Sequence, residues 1–544
     1  MATRREICNG NFEAGEVAAV LRFFAENDVD DVDRPVTIRS NRSMTTDSHR
    51  PMKRTMLPLL LLALAASALA AETPAKPNIV VILADDYGWG SASCYGATGV
   101  KTPNLDRLAQ EGRRFTHAYA PGSVCSPTRY ALMTGRYYWR TPVKDGKVLP
   151  ANAPLHIETN RVTLASLCQG QGFRTAGFGK WHLGMTTARV TDWSGPLKPG
   201  PREIGFDYFY GMAANIGSGP HSFIENGEVT GPVPGEPIIV NGGSRAGDST
   251  TGIKKPWQPD HVMESLTTRV TGWIETNRAR PFFVYYAPNA VHEPIVPNPR
   301  FTNSPLGGYG DFIGELDWSV GQILDTLDKL KLADNTLVIF TSDNGGVENP
   351  GNENASAAIQ AGLAINGPLR GGKHSEWEGG FREPFIVRWP GKVPAGTVSE
   401  QVICLTDLVA TFASLLNAPL PKGHAEDSFD VLRAFTEARP GAPVRDHVIL
   451  QSANAIYDIR IGDWKFVERA NAPEFESVRN KKKTEQAAKK KQKAGPQRDE
   501  LYNLKQDPAE TNNVLADHAE LAAKLKKFLN DARDRGFTRP DAGK

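Results

Sequence analysis

Two continuous apolar runs, residues 78–84 (Asn-Ile-Val-Val-Ile-Leu-Ala) and 337–342 (Leu-Val-Ile-Phe-Thr-Ser), constrain the fold of this chain more than any other feature. Neither alternates apolar with polar and both are rich in β-branched residues, the pattern of a strand buried on both faces of a parallel sheet. Each stops in acid: Asp85-Asp86 follows the first, and Asp343-Asn344-Gly345-Gly346 follows the second. A third run, 281–286, leads through Ala287 to His292-Glu293-Pro294. Residues 105–112 and 312–332 have helical spacing, with Ile313, Leu316, Val320, Ile323, Leu324 and Leu327 on one face of the longer segment. Buried strands alternating with such helices predict an α/β fold, a large mixed, mainly parallel sheet sandwiched by helices. Function in such sheets collects beyond the carboxyl ends of strands, which is where the acidic pairs fall.

Cys125-Ser126-Pro127-Thr128-Arg129 reads as a helix start continuing through Tyr130-Ala131-Leu132-Met133, since proline is tolerated in a first turn whose N–H groups have no intrahelical partner. Position 125 then lies where free backbone N–H groups and the helix dipole favour an anion, with Arg129 on the same face to hold it. Asp85, Asp86, Asp343 and Asn344 offer oxygen ligands only. Carboxylates gathered at the ends of two buried strands repel unless a cation lies among them, and all-oxygen ligation suits calcium or magnesium rather than zinc. Taken singly, a buried structural cysteine and ordinary acidic turns account for these residues as well.

Taken together, the motifs resemble the formylglycine-dependent sulfatases, arylsulfatase-like members of the alkaline phosphatase superfamily. The signature is a cysteine, a proline two residues on, an arginine four residues on, and then Thr134-Gly135-Arg136. Gly179-Lys180-Trp181-His182-Leu183-Gly184, Ala290-Val291-His292-Glu293-Pro294 and Leu369-Arg370-Gly371-Gly372-Lys373 match further segments in the expected order. His374 departs from the family pattern, where a glycine or small residue is commoner. The likeness runs from Pro77 to the C-terminus and is weakest over residues 185–260 and 481–493.

The resemblance implies that Cys125 is oxidised to Cα-formylglycine by a formylglycine-generating enzyme and that its aldehyde hydrate is the nucleophile. It implies one calcium ion bound by Asp85, Asp86, Asp343, Asn344 and the modified residue 125. Lys180, Lys373 and Arg129 would offset charge on the sulfuryl oxygens, His292 or Lys373 would protonate the leaving alcohol, and His182 would deprotonate the second hydroxyl so that sulfate is expelled. The substrate implied is a sulfate ester, a carbohydrate in nature and an aryl sulfate in assay. A phosphodiester or phosphonate monoester hydrolase of the same superfamily is the alternative, because the same site suits phosphoryl transfer. A binding protein with a dead site is disfavoured because every expected catalytic position is filled. Trp193, His221, Trp257, His374 and Trp377 are candidates to line a sugar-sized pocket.

The 544 residues include 63 Lys+Arg and 61 Asp+Glu, a net charge of +2 that offers no case for nucleic acid. Met52-Lys53-Arg54 precedes an apolar run ending in Ala68-Leu69-Ala70-Ala71, the three regions of a secretory signal, and the run is too short for a stable membrane span. The expected organisation is therefore an extension or mis-assigned start (1–51), a signal peptide (52–71), a catalytic domain (77–425) and a C-terminal subdomain (426–544) of antiparallel strands plus a helix. The protein is expected to be exported, periplasmic or extracellular. Lysine-rich residues 481–493 read as a solvated loop, and residues 185–260, rich in Gly and Pro, as loops around a site. The five cysteines, less Cys8 in the extension and Cys125 by modification, leave an odd number that allows one bridge at most.

Overall fold

The computed structural model describes residues 76–242, 248–348, 353–469 and 498–540. The signal segment, the extension before it and the lysine run lie outside the described residues. An 11-stranded sheet runs through the chain in the order Thr397–Ser399, Arg113–Tyr119, Arg382–Arg388, Thr336–Ser342, Asn78–Ala84, Phe282–Ala287, Arg174–Lys180, Tyr208–Met212, Ile224–Glu225 and Glu228–Val229, with Ile403–Cys404 pairing Arg113–Tyr119 off this path. The strands from Thr336–Ser342 across to Tyr208–Met212 are parallel neighbours. Arg382–Arg388 runs antiparallel to both of its neighbours, so the sheet is mixed as expected.

The two apolar runs are adjacent, and every residue of both is buried. Alternate side chains feed opposite layers, which is why neither run alternates in polarity. Ile79, Val81, Leu83, Leu337 and Ile339 pack with Leu132, Leu164, Leu408 and Phe412 of the helices on one face. Val80, Ile82, Val338 and Phe340 pack with Leu105, Val270, Leu316 and Val320 on the other. The long helix spans Gly307–Lys329 and the shorter one Pro103–Gln110, each shifted toward the N-terminus from its sequence-based bounds. The register pairs Ala84 with Ser342, so Asp85 and Asp343 leave their strands at the same level.

Residues 185–260 are more than loops. Tyr208–Met212 joins the main sheet beside Arg174–Lys180, and Ile239–Asn241 pairs with Ser249–Thr251. The aromatic strand is short and surrounded by Gly and Pro, which conceals its periodicity. The four described cysteines, Cys94, Cys125, Cys168 and Cys404, are free thiols.

A four-stranded antiparallel sheet (His447–Gln451, Tyr457–Ile461, Trp464–Glu468, Glu500–Asn503) and the helix Ala519–Arg535 complete the described C-terminal part. A buried charge cluster ties this sheet to the large one. Glu378 Oε2 accepts from Tyr119 Oη at 2.7 Å and from Arg382 Nε at 2.8 Å, while Oε1 lies 3.3 Å from Lys465 Nζ. Lys465 also meets Glu510 at 2.8 Å and Asp458 at 3.5 Å. Burial alone would raise the Glu378 pKa, but Arg382, Lys465 and Arg460 hold it well below the usual carboxylate range. Glu510, with less compensation, is pushed up to about 7, chiefly by burial.

Glu378→Gln leaves these cations without their shared counter-charge and is expected to destabilise the protein by about 3–5 kcal/mol at pH 7. A depressed carboxylate stabilises the fold above its unfolded pKa, and that gain is lost as pH falls through the folded value. The gap between variant and wild type in denaturant titrations should therefore be full at neutral pH and shrink on acidification below pH 4.5, the ordinary glutamate value. A gap that is constant down to strongly acid pH contradicts the assignment.

Candidate active site

Cys125 opens the helix Cys125–Thr134 with 1% of its surface exposed. Val124 before it is extended and provides no side-chain cap, so the N-terminal amides keep their donor capacity. Lys180, the last residue of its strand, places Nζ 3.2 Å from Cys125 Sγ and 2.9 and 2.8 Å from the two oxygens of Asp85. Gly179 allows this placement: with φ of 93° it passes so close to Ala287 that a Cβ would lie 2.0 Å from that residue's carbonyl oxygen.

Lys373 Nζ donates to Asp86 Oδ2 at 2.7 Å, and His292 Nε2 lies 3.7 Å from the same oxygen. Arg129, expected to hold an anion at the helix N-terminus, instead grips the protein's own carboxylate. Its Nη2 and Nε meet Asp343 Oδ2 at 2.7 and 3.0 Å, and Nη1 donates to the Lys180 carbonyl at 3.1 Å. Asp343 Oδ1 accepts from the Asp86 amide at 3.2 Å, and Asn344 Nδ2 donates to Asp86 Oδ1 at 2.8 Å.

The catalytic and metal residues read from the sequence thus fall in one cluster, buried except for the half-buried His292 and Lys373, with one difference in the tight donor set. Asp85, Asp86, Cys125 and His292 have ligand atoms within 4.8 Å of one another. Asp343 stands outside this set, and its oxygens meet Arg129 and the Asp86 amide. The residues fit a hard cation. Asn344 Oδ1 is a buried amide oxygen with no hydrogen-bond partner among the described residues, and Asp85, Asp86 and Asp343 lie beside it with at most 1% of their surface exposed.

The electrostatics divide the acids. Burial favours the neutral form of Asp86, yet Lys373, His292 and Lys180 together hold it well below the usual range. Asp343 is raised, because burial outweighs Arg129. Burial pushes the Cys125 thiol up to about 11 despite Lys180 and Lys373, so the unmodified side chain is protonated and a poor nucleophile at neutral pH. His182 is held well below its ordinary value by burial and then by Lys180 and Arg129. Its Nε2 lies 2.9 Å from the Leu149 carbonyl, which can only accept, so Nε2 carries the proton and Nδ1 keeps a lone pair. That Nδ1 is buried without a hydrogen-bond partner among the described residues.

The family profile described as Sulfatase matches residues 77–418. The chain belongs to the sulfatase family. It is 37% identical over 493 residues to an N-acetylgalactosamine-6-O-sulfatase of Bacteroides thetaiotaomicron, covering 85% of this chain and 94% of the relative. A human steryl-sulfatase is 32% identical over 435 residues, covering 70% of this chain and 73% of the relative. A solved structure from work on glycosaminoglycan metabolism by Bacteroides thetaiotaomicron superposes with a TM-score of 0.77 at 36% identity, covering 84% of this chain and 99% of that one. The protein is therefore a sulfuric ester hydrolase.

Two of the loop aromatics read from the sequence serve in packing in this sulfatase. Trp193 packs in the main core and also lines a cavity of about 220 Å³ with Asn152 and Val240, and the guanidinium groups of Arg370 and Arg469 lie 3.4 and 5.3 Å from the centre of the Trp377 ring. Trp257 donates to the Ile216 carbonyl and His221 meets Thr250, both half-buried. His374, at φ 78°, donates its amide to the Ser123 carbonyl next to the Cys125 helix. Sequence reading missed Ser126 and the Leu149 carbonyl, which orient His182. Ser126 Oγ donates to the His182 carbonyl and accepts the Leu149 amide. Contacts between segments so distant in the chain leave no local signal. No helix among the described residues is long and apolar enough to cross a membrane.

Proposed function

We propose that this sulfatase hydrolyses sulfate monoesters of carbohydrates, with Cys125 matured to Cα-formylglycine by a formylglycine-generating enzyme and one calcium ion held by Asp85, Asp86, Asp343 and Asn344. The observation that carries the reading is the Lys180 ammonium, 3.2 Å from Cys125 Sγ and 2.8 Å from Asp85, which ties the position of the nucleophile to that of the acids. The raised thiol pKa disfavours the unmodified side chain as the nucleophile at neutral pH. A hydrated formylglycine supplies one hydroxyl for attack on sulfur and a second through which sulfate is released, while calcium supplies positive charge to the oxygens around them.

The chain's own residues do the rest. Lys180 and Lys373 hold the anionic sulfuryl oxygens. Arg129 stays with Asp343 and fixes that carboxylate for ligation. His182 receives a proton at Nδ1, its position secured by the Leu149 carbonyl at Nε2. Proton delivery to the leaving oxygen falls to His292 or Lys373, both beside Asp86. A carbohydrate substrate is favoured because the relative matched over 85% of the chain is named for an amino-sugar sulfate, against 70% for the steryl-sulfatase.

The test is turnover by the matured enzyme of 4-nitrophenyl sulfate, a panel of sulfated sugars, and an aryl phosphonate. Sulfate ester turnover should exceed that of the phosphonate by roughly 100-fold or more in kcat/KM. A preference for the phosphonate overturns the reading.

A further inference from the structure

Two asparagines at the carboxyl edge of the sheet have no part in the chemistry above, yet they flank its centre. The strand carrying Lys180 lies between Phe282–Ala287 and Tyr208–Met212, with Gly179 in register with Ala287 and Gly211. Asn289 follows the first neighbour by two residues and Asn215 follows the second by three. The chain after Tyr208–Met212 stays against the site, since the His182 amide donates to the Ala213 carbonyl at 2.9 Å. The segment containing Asn289 is bonded to the acid cluster: the Asp85 amide donates to the Ala290 carbonyl at 3.0 Å, Val291 returns a bond to the Asp85 carbonyl at 2.6 Å, and the His292 amide donates to the Asn289 carbonyl at 2.9 Å.

Asn289 has 2% of its surface exposed, and both its side-chain Nδ2 and Oδ1 lack a hydrogen-bond partner among the described residues. Asn215 Oδ1 is likewise buried and unpartnered. Buried amide groups are nearly always hydrogen-bonded, so these atoms call for a partner that the described residues do not supply. They are neutral, unlike the lysines, arginine and carboxylates that deal with the sulfate and its counter-charges. A carboxamide is donor and acceptor at once, as is an alcohol hydroxyl or an acetamido group. A steroid or aryl ring would leave the carboxamide's polar atoms desolvated and unpaired, which a binding site penalises strongly.

We propose that Asn289, assisted by Asn215, forms the subsite for the hydroxyl or acetamido groups of the alcohol that carries the sulfate, and so sets preference for a sugar ester over an apolar one. This rests on the carbohydrate sulfatase reading and gives it specific residues.

The test compares wild type, Asn289→Ala and the near-isosteric Asn289→Leu on 6-sulfated N-acetylgalactosamine and on 4-nitrophenyl sulfate. Both substitutions should lower the ratio of kcat/KM for the sugar to that for the aryl ester by about 10–100-fold, mainly through a higher KM for the sugar. Asn215→Ala should shift the ratio the same way by less. A ratio unchanged in both Asn289 variants, including a parallel loss on both substrates, overturns the subsite while leaving the sulfatase reading intact. A wild-type enzyme active on the aryl ester but on no sulfated sugar overturns the carbohydrate reading and the subsite with it.

Discussion

Cys125→Ala produces a folded chain with sulfate ester hydrolysis lowered by at least about 10^4-fold, the scale on which loss of a covalent nucleophile is felt. The fold should survive because alanine is accepted in the first turn of a helix and the position contributes little volume to the core. The same experiment has a chemical arm. In wild-type protein matured in a host with the modifying enzyme, the tryptic peptide containing residue 125 should be about 18 Da lighter than its encoded mass, because an aldehyde oxygen has replaced the thiol. Cys125→Ser retains shape and polarity but lacks a second hydroxyl on the same carbon, so it should turn over once at best. Full activity in protein whose Cys125 is wholly unmodified contradicts the assignment, and the raised thiol pKa gives the reason to expect otherwise.

If the proposed calcium site holds, Asp343→Asn loses the ion and lowers kcat/KM by about 10^3-fold, since a charged ligand and the field that organises the site go together. The amide is the informative replacement. Asp343→Ala would also strip Arg129 of its partner at 2.7 Å, and an uncompensated buried guanidinium costs about 3–5 kcal/mol, confounding loss of metal with loss of fold. Even the asparagine variant weakens that pair, so a lowered Tm should accompany the metal loss. Metal analysis of the purified variant, read beside its thermal transition, separates the two effects. A full equivalent of calcium in folded Asp343→Asn protein removes Asp343 from the ligand set.

Much of this site was legible before the fold was known, for a definite reason. Asp85, Asp86, Asp343 and Asn344 directly follow apolar runs, and an apolar run that stops in acid announces both a buried strand and the end where chemistry gathers. Cys125 and Arg129 were legible because their relation is local, one helical turn apart. Lys180, His182, His292 and Lys373 were recognised through resemblance rather than spacing, and the structure gives the reason. They reach the centre from three separate segments, across contacts such as that between Lys373 and Asp86, 287 residues apart.

By itself, then, the sequence determined the strand type of the two central runs, the apolar face of the long helix and the chemical character of the strand ends, since these follow from periodicity over a few residues. The tertiary structure decided the rest. Strand order made Asn78–Ala84 and Thr336–Ser342 neighbours, and their register put Asp85 and Asp343 at one level. Packing set Arg129 against Asp343, drew Tyr208–Met212 out of an apparent loop region into the sheet, and left the Asn289 side chain buried without a hydrogen-bond partner among the described residues. Local pattern specifies an element and its buried face, whereas pairing across hundreds of residues depends on which elements become neighbours and in what register, and no short stretch of chain encodes that.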